Sequence, residues 1–252
     1  MEFRPCIDIH NGKVKQIVGG SLLDAGDFAC ENFVAEEDST FFASLFKQDK
    51  LTGAHVIMLN SKDSEYFEAT KKAALNALEA YPGGLQVGGG ITADNAEEFI
   101  AAGASHVIVT SYVFSEGRIN YDNLCKLKDA IGKERIVLDL SARKRAGKYY
   151  VVTDRWQTFT DEVVEPALFE KLISYCDEFL VHGVDVEGKR AGIDEELIEI
   201  LSNVNATVTY AGGISSYGDI ETIKRVSGGR LNYTVGSALD IYGGKLKYKD
   251  LI

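Results

Sequence analysis

Two aspartates hold the chemistry open to this 252-residue chain: Asp8 in Pro5-Cys6-Ile7-Asp8-Ile9-His10 and Asp139 in Ile136-Val137-Leu138-Asp139-Leu140-Ser141. Each stands at the end of a short apolar run. A carboxylate there is costly unless it is paired or put to work. Two such groups facing one another across a cavity would be general acid and general base; an ion pair or helix cap for each is the structural alternative.

A glycine cluster follows in each half, Gly88-Gly89-Gly90-Ile91-Thr92 and Gly212-Gly213-Ile214-Ser215, both after a strand-like run and before a helical one. Glycine lets the main chain approach a bound anion and adopt positive φ, and helix N-termini present partial positive charge. Thr110-Ser111 and Gly236-Ser237 stand at a comparable half-chain spacing and offer further amides and hydroxyls. Two acids and two anion cradles predict a substrate with two phosphates. Trp156, the single tryptophan, sits in Asp154-Arg155-Trp156-Gln157. It would either stack on a planar heteroaromatic ring, with the Arg155 charge beside it, or plug the loop from below. His182 ends another strand-like run and is either a pH-active group or a neutral hydrogen-bonding wall; the neutral wall is favoured.

The elements needed to position these residues alternate along the chain. Strands are expected over 3–8, 55–59, 85–87, 106–109, 136–140, 179–181, 207–210 and 233–235. Helices are expected over 38–50, 63–81, 93–102, 123–131, 165–175, 194–201 and 217–226, the first capped by Ser39 or Thr40 with Phe41, Phe42, Leu45 and Phe46 on one apolar face. Eight β-then-α units in about 250 residues, with matching motifs in the two halves, predict a single α/β domain over 1–252: a (β/α)8 TIM barrel with half-barrel duplication. Strand alternation turns Cys6, Asp8, Val137 and Asp139 toward the barrel axis and Ile7, Ile9, Ile136 and Leu138 toward the helices. A long loop over 19–35 and a hairpin over 144–154, turning at Ala146-Gly147, would overhang the catalytic face, and with Trp156 the first would close over ligand.

Composition narrows the partners. A formal net charge of −11 argues against nucleic acid, whose binding draws on Lys and Arg. No apolar run reaches the roughly 20 residues of a membrane span. Cys6, Cys30, Cys125 and Cys176 are scattered and read as free thiols of a reducing compartment, the cytoplasm. His10, His55 and His106 make no metal constellation, so no metal is expected.

The run Pro5-Cys6-Ile7-Asp8-Ile9-His10-Asn11-Gly12-Lys13-Val14 resembles the opening of the phosphoribosylformimino-aminoimidazole carboxamide ribotide isomerases of histidine biosynthesis. The likeness continues through Gly88-Gly89-Gly90-Ile91, Val137-Leu138-Asp139, Trp156-Gln157, Gly212-Gly213-Ile214 and Gly236-Ser237-Ala238-Leu239, with a eukaryotic cast in the long loops. The resemblance implies a cofactor-free barrel enzyme that performs an Amadori rearrangement on a bisphosphorylated ribotide; a monomer is expected. It implies Asp139 as general acid, Asp8 as general base, and phosphate sites at Gly89, Gly90, Thr110, Ser111, Gly212, Gly213, Gly236 and Ser237. The chain departs from the bacterial pattern at Asn60, where Asp-Leu-Asp is usual, at His182-Gly183 in place of His-Thr, and at Glu187-Gly188 in place of Asp-Gly. His182, Asp185 or Glu187 would then take over the assisting roles. The sister cyclase subunit of imidazole glycerol phosphate synthase has a lysine where this chain has Gln16. Phosphoribosylanthranilate isomerase uses a strand 1 cysteine as base; Cys6, one layer deeper than Asp8, is expected in the core. A non-catalytic sugar-phosphate sensor would gain nothing from two carboxylates beside a dianion.

Overall fold

The computed structural model describes residues 1–17, 21, 29–154, 156–187 and 192–252. Eight parallel strands form the barrel wall: β1 (Cys6–His10), β2 (Ala54–Met58), β3 (Leu85–Gly88), β4 (His106–Val109), β5 (Ile136–Asp139), β6 (Glu178–His182), β7 (Thr207–Ala211) and β8 (Asn232–Thr234). Each pairs with the next in sequence. Closure comes from the parallel bridge between Phe3 and Tyr233, with Arg4 N donating to Tyr233 O at 2.9 Å and Tyr233 N to Glu2 O at 3.0 Å. Residues 3 and 4, expected to open strand 1, thus serve the seam with β8.

Period-two alternation sorts the side chains into two cores. Ile7, Ile9, Val56, Val87, Leu138, Val181 and Val208 face the helix layer and are fully buried. Ile108, Val137, Leu180 and Ala211 form a separate small cluster with Ile57 against it, on the side of the wall opposite the helix layer. Each fully buried aliphatic side chain contributes about 1.5–3 kcal/mol.

The helices are α1 (Ser39–Gln48), α2 (Phe67–Ala80), α3 (Ala96–Ala101), α4 (Tyr121–Ile131), α5 (Pro166–Leu172), α6 (Glu195–Ser202) and α7 (Tyr217–Ser227). Asp38, rather than Ser39 or Thr40, caps α1 by accepting from Phe41 N at 3.0 Å. The buried face of α1 is Ser39, Phe42, Ala43 and Phe46, while Phe41 is exposed, because only positions three and four apart share a helix face. After β8 the chain makes two short 3-10 turns, Asp240–Tyr242 and Tyr248–Asp250. Among the described residues no helix is long and apolar enough to cross a membrane.

Both insertions are more regular than loops. Asn11 and Gly12, at φ +52° and +72°, turn β1 back into an antiparallel strand, Lys13–Ile17, which pairs with Glu31–Val34. Part of the loop expected over 19–35 is therefore β-ribbon; residues 18–20 and 22–28 lie outside the described residues. After β5, Ala142–Arg145 and Lys148–Thr153 form the expected hairpin, with Ala146 and Gly147 both at positive φ as a two-residue primed turn requires. A third strand not expected from the sequence, Thr158–Val163, completes that sheet.

Candidate active site

β1 and β5 are four strands apart in an eight-stranded wall, so their C-terminal ends face one another. Asp8 and Asp139 both line one cavity of about 460 Å³. Gly89, Gly90, Thr110, Ser111, Trp156, His182, Gly212, Gly213, Gly236 and Ser237 also line it. Every catalytic and phosphate-binding residue expected from the sequence is there, and Arg155 lies outside the described residues.

The two glycine loops repeat at the level of the main chain. Gly89 and Gly212 stand at φ +103° and +127°, and Gly90 and Gly213 at +70° and +72°. Two of these positions are closed to any side chain: a Cβ on Gly89 would run into the Met58 carbonyl, and one on Gly213 into the Gly192 carbonyl. Neighbouring side chains hold the loops in place. Asn95 accepts from Thr92 N at 2.8 Å and donates to Gly90 O at 3.1 Å. In the second half Asp219 Oδ2 accepts from Ser215 N and Ser216 N, both at 2.8 Å, within the capping box that starts α7.

Asp8 is half-buried on the wall. Burial raises its pKa to about 7; Glu187 raises it too, while His182 and a hydrogen bond from Gln16 pull the other way. Gln16 Nε2 donates to Asp8 Oδ2 at 3.2 Å. The ribbon brings Gln16 to this place, and Asn60, which does not line the cavity, anchors the ribbon by accepting from Asn11 N at 2.8 Å and Thr70 Oγ1 at 2.7 Å. Cys6 was expected in the core; it lines the cavity beside Asp8, with its Sγ at 4.0 Å from Asp8 Oδ2. Burial and the Asp8 charge push its thiol pKa well above the ordinary value, so Cys6 supplies no thiolate base at neutral pH.

Asp139 accepts from Thr110 Oγ1 at 3.3 Å, Ser141 Oγ at 3.0 Å and His182 Nδ1 at 3.2 Å. Trp156 Nε1 donates to Ser141 Oγ at 3.1 Å. Because an indole N–H only donates, the Ser141 oxygen must accept from it, and its own hydrogen is left for Asp139. His182 is not the neutral wall expected from sequence. Burial opposes its charge, but the Asp139 carboxylate, through both charge and hydrogen bond, together with Glu187 and Asp8, raises its pKa to about 9. The Trp156 ring stands 6.1 Å from the His182 ring, tilted by 43°.

Of the assisting candidates on the chain after β6, Glu187 lines the cavity and Asp185 does not. Asp185 instead accepts from Lys144 N at 2.9 Å and pairs with Arg143 Nε at 3.4 Å, tying down the hairpin. Gln16 and Ser141 are the contributors that reading by motif missed. The Asn11-Gly12 pair was the available signal for Gln16, since such a dipeptide between apolar runs marks a hairpin. Among the described residues no group of three or more His, Cys, Asp and Glu side chains is placed to hold a metal ion.

Residues 2–247 match the family model described as histidine biosynthesis protein. Over 257 aligned residues the chain is 52% identical to the chloroplastic 1-(5-phosphoribosyl)-5-((5-phosphoribosylamino)methylideneamino)imidazole-4-carboxamide isomerase of Medicago truncatula, covering 100% of this chain and 81% of the relative. Isomerases of the same name from Neurospora crassa and Saccharomyces cerevisiae are 47% and 42% identical, covering 96% and 99% of this chain and 93% and 96% of theirs. On the strength of this full-length likeness and of the barrel just described, the chain belongs to the histidine biosynthesis protein family.

Proposed function

We propose that this chain isomerises 1-(5-phosphoribosyl)-5-((5-phosphoribosylamino)methylideneamino)imidazole-4-carboxamide to its ribulosyl ketose, an Amadori rearrangement in histidine biosynthesis. The observation that carries this reading is that Asp8 and Asp139 share one cavity with two glycine loops of matching backbone. The loops, with Thr110, Ser111, Gly236 and Ser237, would hold the two phosphates by main-chain amides and hydroxyls, which suits a chain whose net charge is −11.

The Asp139 side passes a proton to the ribose ring oxygen. The C1–O bond breaks toward that oxygen, and the amine lone pair closes to an iminium. Asp8 then takes the proton from C2, leaving an enolamine, and returns it to C1. The C2 hydroxyl proton goes back to the Asp139 side as the ketone forms, so the protons balance. A base with a pKa of about 7 is matched to this task near neutral pH. Trp156, on the cavity wall, is placed to stack on the imidazole carboxamide. The neutral donor Gln16 beside Asp8 supports isomerase over cyclase chemistry.

The same reading makes the protein a monomeric single domain with no nucleic-acid or membrane partner. It places the protein in the cytoplasm, a compartment in keeping with its four free cysteines. Purified protein, given neither metal nor glutamine, should convert the aminoaldose ribotide to the aminoketose. Asp8→Asn and Asp139→Asn should each lower turnover by about 100-fold or more; turnover near the parent level in both would overturn the assignment.

A further inference from the structure

We propose that His182 is the positioning residue that stores the proton Asp139 delivers, and so fills the assisting role on the strand after the acid. The inference rests on the isomerase reading above.

Asp139 receives donors on both oxygens, Thr110 on Oδ2, and Ser141 and His182 on Oδ1. Ser141 is fixed in its donating direction by the Trp156 indole. Three donors converge on this carboxylate and hold it as a hydrogen-bond acceptor. An acid step nonetheless requires a proton, and of the three donors only the His182 imidazolium, its Nδ1 at 3.2 Å from Asp139 Oδ1, carries one that it can release in the working pH range.

The groups around the imidazole favour its charged form. Asp139 lies on β5, Asp8 on β1 and Glu187 on the segment after β6, and all three raise the pKa of His182. His55 on β2 is buried, and burial first, then Arg4 and His182, depress its pKa to about 3, so it is neutral at working pH and does not compete for the proton. The Trp156 ring stands 6.1 Å from the imidazole, tilted by 43°. As the ring C–O bond breaks, the proton moves from Nδ1 to Asp139 Oδ1 and on to the departing oxygen, leaving neutral imidazole. The C2 hydroxyl proton released on ketone formation restores the imidazolium.

The test joins a rate profile to a titration. In the parent protein kcat/KM should fall above about pH 9. His182→Asn keeps a donor toward Asp139 but holds no titrating proton. It should lower kcat by about 100-fold or more, leave KM within about 3-fold, and abolish that alkaline limb. A variant that keeps its rate, or keeps the limb, overturns the proposal. The His182 ring should titrate near 9 by NMR and move toward the ordinary histidine range in Asp139→Asn; titration below 7 in the parent protein also overturns it. The NMR measurement needs no turnover, so it judges the proton store even if the ribotide proves not to be a substrate, which would refute the isomerase reading instead.

Discussion

Glu187 lies within electrostatic reach of both ends of the proposed proton path, raising Asp8 on one side and His182 on the other. The base must be ionised and the proton store charged, so kcat/KM should be bell-shaped, rising near pH 7 and falling near 9. Glu187→Gln removes a negative neighbour from both groups. Loss of that charge favours the ionised form of Asp8 and the neutral form of His182, and each change lowers a pKa. Both limbs should therefore move toward acid, by about half a pH unit or more, as measured by kcat/KM across pH 5–10. An acid limb that stays in place would show that Asp8 does not feel Glu187. At this scale the sequence was legible for groups whose role follows from position on a strand, Asp8 and Asp139 above all. It misread His182, because whether a histidine is charged depends on carboxylates that come from three separate elements.

At the scale of elements, the two glycine loops share backbone angles but differ in what surrounds them. Gly213 has the Gly192 carbonyl where a Cβ would go, whereas the nearest atom to a Cβ on Gly90 is Lys62 Cε at 3.7 Å. Both need positive φ, which costs a non-glycine residue about 1–2 kcal/mol. Gly90→Ala should therefore express as a folded protein with a raised KM. Gly213→Ala should lose stability in addition, since the second loop must shift bodily; urea midpoints and KM measured on both variants check the contrast, and equal midpoints would count against it. The duplication was legible because glycine is written into the sequence wherever the turn needs it. The ribbon that carries Gln16 was legible in principle from Asn11-Gly12, but its return strand pairs across residues far apart in sequence, and no local pattern shows that. The third strand after β5 lies close to its partner in sequence, Thr153 pairing with Thr158, but its polar and acidic run Thr158–Val163 gives only a weak strand signal. Asn60, a departure from the bacterial pattern in sequence, clasps the Asn11–Gly12 turn.

At the scale of the whole molecule, the catalytic mouth has a charged counterpart at the N-terminal ends of the strands. Arg4 Nη1 donates to Glu178 Oε2 at 2.6 Å and to Thr209 Oγ1 at 3.2 Å, and Gln86 Nε2 donates to the other Glu178 oxygen. The Arg4 and Glu178 side chains are only 10% and 5% exposed, so neither charge has water to fall back on. The four residues come from the chain entering β1 and from β3, β6 and β7, and the cluster ties together strands from both halves of the barrel. Its energetic sign depends on whether the pair is broken or replaced, because a buried pair barely repays its desolvation while a lone buried charge is strongly unfavourable. Arg4→Met should accordingly destabilise the protein by about 3–5 kcal/mol, read from the urea midpoint, and Arg4→Met combined with Glu178→Gln should recover a large part of that loss. Neither Arg4 nor Glu178 lines the cavity, so KM for the ribotide should stay near the parent value in any variant that remains folded. If the double variant were no more stable than Arg4→Met alone, the loss would come from the packing of the arginine stem across the barrel floor and not from the charge it leaves behind.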